Sequence, residues 1–200
     1  GMKNIVVGAG GDIGKAASEA LADRHEIITA GRSSGDIRVD LSVPASVSAM
    51  FAKVGPLNAV VSTAGDAHFA ALSEHSMETF MVGLTQKVMG QVNLVLQGMD
   101  HLVDGGSFTL TSGVLDRDPI AMSSNTAAAN GALGGFVKAA ALEMPRGQRI
   151  NAVSPEVLEV SMPRYGEWFR GHKPVSSEDV GRAYIKCVEG SINGQVVVVE

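Results

Sequence analysis

Cysteine is almost missing from this chain: Cys187 stands alone among 200 residues, so neither a disulfide framework nor a cysteine-built metal centre can form. Aromatic residues are scarce at 4%, and any chemistry that needs a phenol has only Tyr165 and Tyr184 to draw on. Charge of one sign does not accumulate either. The net charge of −5 argues against nucleic acid or an anionic membrane surface as the partner, and leaves a small molecule. Long apolar runs are lacking: stretches such as Val196–Val199 have strand length, far below the roughly 20 residues a bilayer requires. No secretory signal is evident, so the expected setting is the cytoplasm. His, Asp and Glu show no metal-ligand spacing, and no metal is expected.

Hydrophobic residues make up 45%, enough to build one core, and a single domain over residues 1–200 is expected. Short β-branched runs alternate with Ala-rich stretches of helical period. The pattern predicts strands at Lys3–Val7, Glu26–Ala30, Ile37–Asp40, Leu57–Ser62, Ser107–Thr111, Arg149–Val153 and Gln195–Val199. Helices are predicted over Ile13–Asp23, Val43–Val54, Met77–Leu102, Thr126–Glu143 and Ser177–Glu189. Apolar strands separated by helices imply parallel pairing covered on both faces. With right-handed crossovers the expectation is a doubly wound α/β/α sheet of about seven strands, a Rossmann fold. Glu156–Val175 reads as the one long irregular connection, placed where such a sheet opens its ligand crevice.

Gly8-Ala9-Gly10-Gly11-Asp12-Ile13-Gly14 joins the first strand to the first helix. Glycine allows positive φ and close backbone approach, and the N–H groups opening the helix face an anion. In this context the motif points to a dinucleotide diphosphate. Asp12 can cap the helix, yet its carboxylate would repel that diphosphate, an effect Lys15 could offset. The second strand leads into Gly31-Arg32-Ser33-Ser34, where a carboxylate would mark a cofactor lacking the 2′-phosphate. Arg32 and Ser33 instead suit phosphate oxygens, so NADP(H) is preferred and NAD(H) remains possible. An ordinary solvated arginine is the competing reading.

Several further motifs follow in order: Asp40-Leu41, Ser62-Thr63-Ala64-Gly65, Thr111-Ser112-Gly113, Phe136 through Glu143, Arg149 through Pro155, and Gly194-Gln195. With the glycine turn they resemble the short-chain dehydrogenase/reductase family over nearly the whole chain. The resemblance implies cofactor contacts from Gly8, Gly10, Gly11, Ile13, Gly14, Arg32, Ser33, Asp40, Leu41, Ala64, Gly65, Pro155 and Val157. It implies Ser112 as the catalytic serine and a homodimer or homotetramer through the two long helices. Glycines 131, 134 and 135, each costly in a helix by about 1 kcal/mol relative to Ala, fit such an interface.

The family's proton relay is absent. Its tyrosine position falls on Thr126 and its lysine position on Asn130, while Lys87 stands where the family has a helix asparagine and Glu156 where it has a glycine. A free phenol has a pKa of about 10 and needs a nearby cation to work near neutrality; neither partner is present. Lys87 is the replacement cation in one reading and a solvated helix-face lysine in the other. His68, Tyr165 or water could also move the proton, while Tyr184 reads as packing. The expectation is therefore an NADP(H)-dependent oxidoreductase of a small carbonyl or alcohol with a nonstandard proton donor. The rival is a dinucleotide-binding sensor or partner subunit without turnover.

Overall fold

The computed structural model describes residues 2–200. Seven parallel strands form one sheet in the order β3-β2-β1-β4-β5-β6-β7. In chain order these are β1 (Met2–Val7), β2 (His25–Gly31), β3 (Ile37–Arg38), β4 (Leu57–Ser62), β5 (Leu102–Thr111), β6 (Arg149–Pro155) and β7 (Val196–Val199). The order reverses between β1 and β4, and a crevice opens at the carboxyl ends there. The register pairs Ile5 with Ile28 on one side and with Val60 on the other.

Alternation along each strand divides the core in two. Ile5, Val7, Val60, Phe108, Leu110 and Ile150 point to one face, with Phe51 and Leu133 from covering helices. Val6, Val61 and Val153 point to the other, beneath Leu21, Val180 and Tyr184. Large apolar side chains withdrawn fully from water contribute about 1.5–3 kcal/mol each, so the sheet is held from both faces. The first face is covered by α2 (Pro44–Val54) and α5 (Ser124–Ala140); the second by α1 (Asp12–Ala22) and α7 (Ser177–Glu189). Tyr184 is fully buried and its hydroxyl lies 2.5 Å from Thr111 Oγ1, which is the packing role expected of it. Cys187 is buried in the same layer, and burial pushes its thiol up to about 12.

Local chemistry explains most boundaries. Pro44 occupies the first turn of α2, where its missing N–H costs nothing. Ser176 caps α7 by accepting from Asp179 N. The helix expected over Met77–Leu102 is different: α3 (Met77–Gly83), capped reciprocally by Ser76 and Thr79, passes into a π-helical segment, Leu84–Met89, and then α4 (Gly90–Gly98). The helix ends early because Leu102 joins the sheet opposite Leu57. β5 thus begins five residues before the expected Ser107, across Gly105 at φ 73°. β3 stops at Arg38 rather than Asp40, and α5 runs from Ser124 to Ala140 rather than from Thr126 to Glu143. The connection 156–175 is closed at its base by a Leu158–Val175 bridge and carries one helical turn, α6 (Met162–Tyr165). No helix among the described residues is long and apolar enough to cross a membrane.

Candidate active site

Two neighbouring cavities lie at the carboxyl edge of the sheet. The first, about 290 Å³, runs over the β1, β2 and β4 ends and is lined by Gly8, Gly11, Arg32, Asp40, Leu41, Ala64 and Gly65, seven of the residues singled out for a dinucleotide. Gly8 has φ +85°, and a Cβ there would meet the Ala64 backbone at 2.8 Å, so only glycine serves. Gly14 is buried, and its Cβ would fall 2.0 Å from the Gly8 carbonyl oxygen; the bare α-carbon lets α1 dock on the turn. Gly10 and Ser33 are exposed at the rim and line neither cavity, while Ile13, Pro155 and Val157 line the second. No side chain caps α1, so the N–H groups of its first turn are left for an anion.

Asp12 does not cap α1. The N-cap is Gly11, and the Asp12 carboxylate turns away to accept from Ser161 Oγ (2.7 Å) and from the Arg164 guanidinium. These partners, the Ser161 hydroxyl first, hold its carboxyl below the usual carboxylate range. The repulsion expected at the phosphate turn is met by Arg164, from a segment 152 residues away, rather than by Lys15 alone. Arg32 is exposed, and its Nη2 lies 3.5 Å from Asp66 Oδ2, a carboxylate lining the same cavity. The position of Asp66 directly after Ser62-Thr63-Ala64-Gly65 is the signal that could have marked it.

The second cavity, about 270 Å³, is bounded by Ser112 and Gly113 after β5, by Thr126 and Asn130 on α5, and by Lys87 in the π segment. Ser112, Thr126 and Asn130 are buried at 3%, 7% and 1% exposure, yet Ser112 Oγ, Thr126 Oγ1 and Asn130 Oδ1 have no hydrogen-bond partner in the protein. Buried polar atoms are normally paired, so three orphans around one cavity mark a place for a polar ligand. The half-buried Lys87 is not a solvated helix-face residue: its Nζ donates to the Ser112 carbonyl at 3.2 Å. Desolvation lowers its pKa to about 8 from an ordinary 10.5, partly opposed by the Asp116 charge. Lys87 in the π segment and Asn130 on α5, at the positions where the resemblance implies an asparagine and a lysine, thus line one cavity. A Cβ on Gly65 would stand 2.8 Å from Lys87 Cα, so the loop after β4 packs directly on the backbone of the π segment.

His68 is exposed and does not line the cavity; its ring makes an edge contact with His75. Tyr165 does line it, at the mouth. The Val157 N–H, implied for the cofactor, is already bonded at 2.8 Å to the Glu156 carboxylate. The other Glu156 oxygen lies 2.7 Å from His172 Nδ1, and His172 Nε2 lies 3.5 Å from Asp118. This Glu156–His172–Asp118 chain, drawn from the segments after β5 and β6 with no common spacing, was invisible in the sequence. The three groups are near enough to one another to hold a cation, but both imidazole nitrogens already face carboxylates.

The profile of the family described as enoyl-(acyl carrier protein) reductase matches residues 1–185. None of the curated proteins matches the chain. Among solved structures, the protein lin1944 from Listeria innocua is 46% identical over the full length of both chains, with a TM-score of 0.98. A small-chain dehydrogenase is 28% identical, with a TM-score of 0.84, over all of this chain and 96% of its own. A small-chain dehydrogenase in complex with NADPH is 26% identical, with a TM-score of 0.86 and the same coverage. Profile, sheet order and the run of motifs from the glycine turn to Pro155 agree: the chain belongs to the short-chain dehydrogenase/reductase family.

Proposed function

We propose that this protein is an NADP(H)-dependent oxidoreductase of a small carbonyl or alcohol, with Lys87 as its proton donor. The observation that carries this reading is the Lys87 ammonium, 3.2 Å from the Ser112 carbonyl and lowered to about 8, lining one cavity with the unpartnered Ser112 hydroxyl. A group that titrates near the working pH is suited to give and regain a proton. The glycine turn and Arg32 fit the cofactor's diphosphate and 2′-phosphate; the exposed Arg32–Asp66 pair is worth at most about 1 kcal/mol, so a phosphate displaces it readily. The NADPH bound by the relative at 26% identity supports the same choice.

A reduced nicotinamide supplies the hydride when bound. The chain's own part is positional and electrostatic. Ser112 Oγ donates a hydrogen bond to the substrate oxygen and draws charge toward it as the carbonyl carbon is reduced. Lys87 Nζ passes a proton to that oxygen, giving the alcohol, and its neutral amine is recharged from water. Thr126, with a hydroxyl that does not ionise in this range, and Asn130 line the pocket without joining the transfer.

The second reading, a binding protein without turnover, is favoured by Thr126 and Asn130 at the relay positions. We further propose a homo-oligomer. Met77, Met81, Met89 and Leu96 along α3, the π segment and α4 are exposed, and a Cβ on Gly131 or Gly135 of α5 would meet nothing within the chain.

Fluorescence titration with NADPH and NADH tests the cofactor reading. Losing Arg32 hydrogen bonds to a charged group costs about 1.5–3 kcal/mol. Arg32→Ala should therefore weaken NADPH binding by about 10- to 100-fold and NADH binding by less than about threefold. Equal losses would refute the 2′-phosphate assignment.

A further inference from the structure

Beyond the catalytic cavity lies an outer chamber of about 350 Å³, lined by Phe69, Ile120, Ala121, Met122, Tyr165, Trp168 and Phe169. Phe69, Tyr165 and Phe169 also line the inner cavity, so the two adjoin across shared walls. The walls come from three segments, those following β4, β5 and β6, with the aromatic residues supplied by the first and the last. The fold does not need them there: Phe69, Tyr165 and Trp168 are 51%, 49% and 60% exposed, in a chain with only 4% aromatic residues. A convergent exposed apolar patch beside polar groups marks a binding surface.

The chamber is also pre-shaped. The Phe169 ring packs edge-on against His172 at 5.2 Å, and His172 is held by Glu156. The Arg164 guanidinium lies 5.4 Å over the Tyr165 ring while paired with Asp12. Met122 holds φ +69°, a conformation unfavourable for a side chain of this kind, and its carbonyl accepts from Ala70 N at 3.2 Å, which ties two of the segments together. The ionic groups that brace the walls, Asp12 with Arg164 and Glu156 with His172, are thus paired with one another, and no residue lining the outer chamber carries a charge. An ionised substituent placed there would lose its hydration with no counter-charge.

We propose that this chamber holds the body of the substrate, and that the substrate class is a neutral aryl ketone or aldehyde, or the matching alcohol, with a fused-ring aromatic body. The reacting oxygen reaches inward to Ser112 and Lys87 while the rings lie among Phe69, Tyr165, Trp168 and Phe169. The inference rests on the oxidoreductase reading above, and the walls shared with the Ser112 cavity are what select a substrate over a protein partner.

Trp168 is the sole tryptophan, so its emission reports on this chamber directly. The protein, with and without saturating NADPH, is titrated with 2-acetylnaphthalene, its anionic counterpart 6-acetyl-2-naphthoate, and 2-butanone. Equilibrium dialysis gives the affinities independently of fluorescence. Saturable quenching is expected with 2-acetylnaphthalene, at least tenfold weaker binding with the naphthoate, and none with butanone. Trp168→Ala and Met122→Ala, which line only the outer chamber, should each weaken naphthyl ketone binding several-fold with NADPH affinity unchanged. Indifference of the ketone to both substitutions, or equal affinity for the naphthoate, would overturn the proposal. So would a shift in sedimentation of Trp168→Ala to a smaller species, which would mean that a second copy covers the patch. If NADPH binds and the ketone does not, the chamber assignment alone falls. If the ketone binds as expected and NADPH does not, the oxidoreductase reading falls and with it the word substrate, leaving the chamber as a binding site for a neutral aryl ligand.

Discussion

Replacing Lys87 by methionine should make the protein more stable and less active at the same time, and the gain should depend on pH. The fall in its pKa from 10.5 to about 8, at about 1.36 kcal/mol per unit, sets a ceiling of about 3 kcal/mol on the cost of keeping the ammonium in this site. Because the side chain is only half-buried, and because the bond to the Ser112 carbonyl returns about 1 kcal/mol, the net cost is about 1–2 kcal/mol. The cost is present in full well below pH 8, where the folded protein must carry the charge. It fades as the pH rises from about 8 toward 10.5, where the folded state already holds a neutral amine and the unfolded chain loses its proton too. Lys87→Met should therefore raise the melting temperature at pH 6.5 by about 3–6 °C, and the two curves should converge by pH 10.5. Circular dichroism melts in steps across that range provide the measurement. A variant that melts at or below the parent temperature at pH 6.5, or a gap that does not close, would refute the desolvated-lysine account. In the parent protein, on the proposed function, kcat/KM for carbonyl reduction should fall above about pH 8 as Lys87 loses its proton, and the variant should lack the activity.

Restoring the family relay tests the exchange of lysine and asparagine. Thr126→Tyr with Asn130→Lys and Lys87→Asn should raise carbonyl reduction at least tenfold, whereas the first two changes alone place two ammonium groups in one cavity and should gain less; an equal or larger gain from the pair would show that Lys87 is not in that cavity's electrostatic field. Gly14→Ala drives a methyl group onto the Gly8 carbonyl and should lower stability by about 2–3 kcal/mol in urea unfolding, with NADPH binding lost; a loss under about 0.5 kcal/mol would show that α1 can retreat from the turn.

The sheet was legible because its signals are local. Ile5, Val6 and Val7 state their own period, and the glycines of 8–14 sit at the junction they shape. That Lys87 and Asn130 line one crevice was also readable, from their places in the order of motifs. The fate of Asp12 was not, since Ser161 and Arg164 are 149 and 152 residues distant and no local rule couples them to it. The Glu156–His172–Asp118 chain and the aromatic chamber depend in the same way on loops brought together by the sheet. The end of α4 was missed because Leu102 continues the apolar period of the helix, and pairing with Leu57 overrides it. The propensities of Leu84–Met89 give no warning of a π segment.

That widened turn has a consequence for how the protein tolerates insertions and deletions. An α-helix advances about 100° per residue, so the wide coil sets the azimuth of every side chain beyond it relative to α3. A natural variant shortened by one residue between Leu84 and Met89 could still form an unbroken helix and retain the sheet. Its ammonium would swing toward bulk water and its crevice would lose the cation, and the damage would appear in turnover while the melting temperature held or rose.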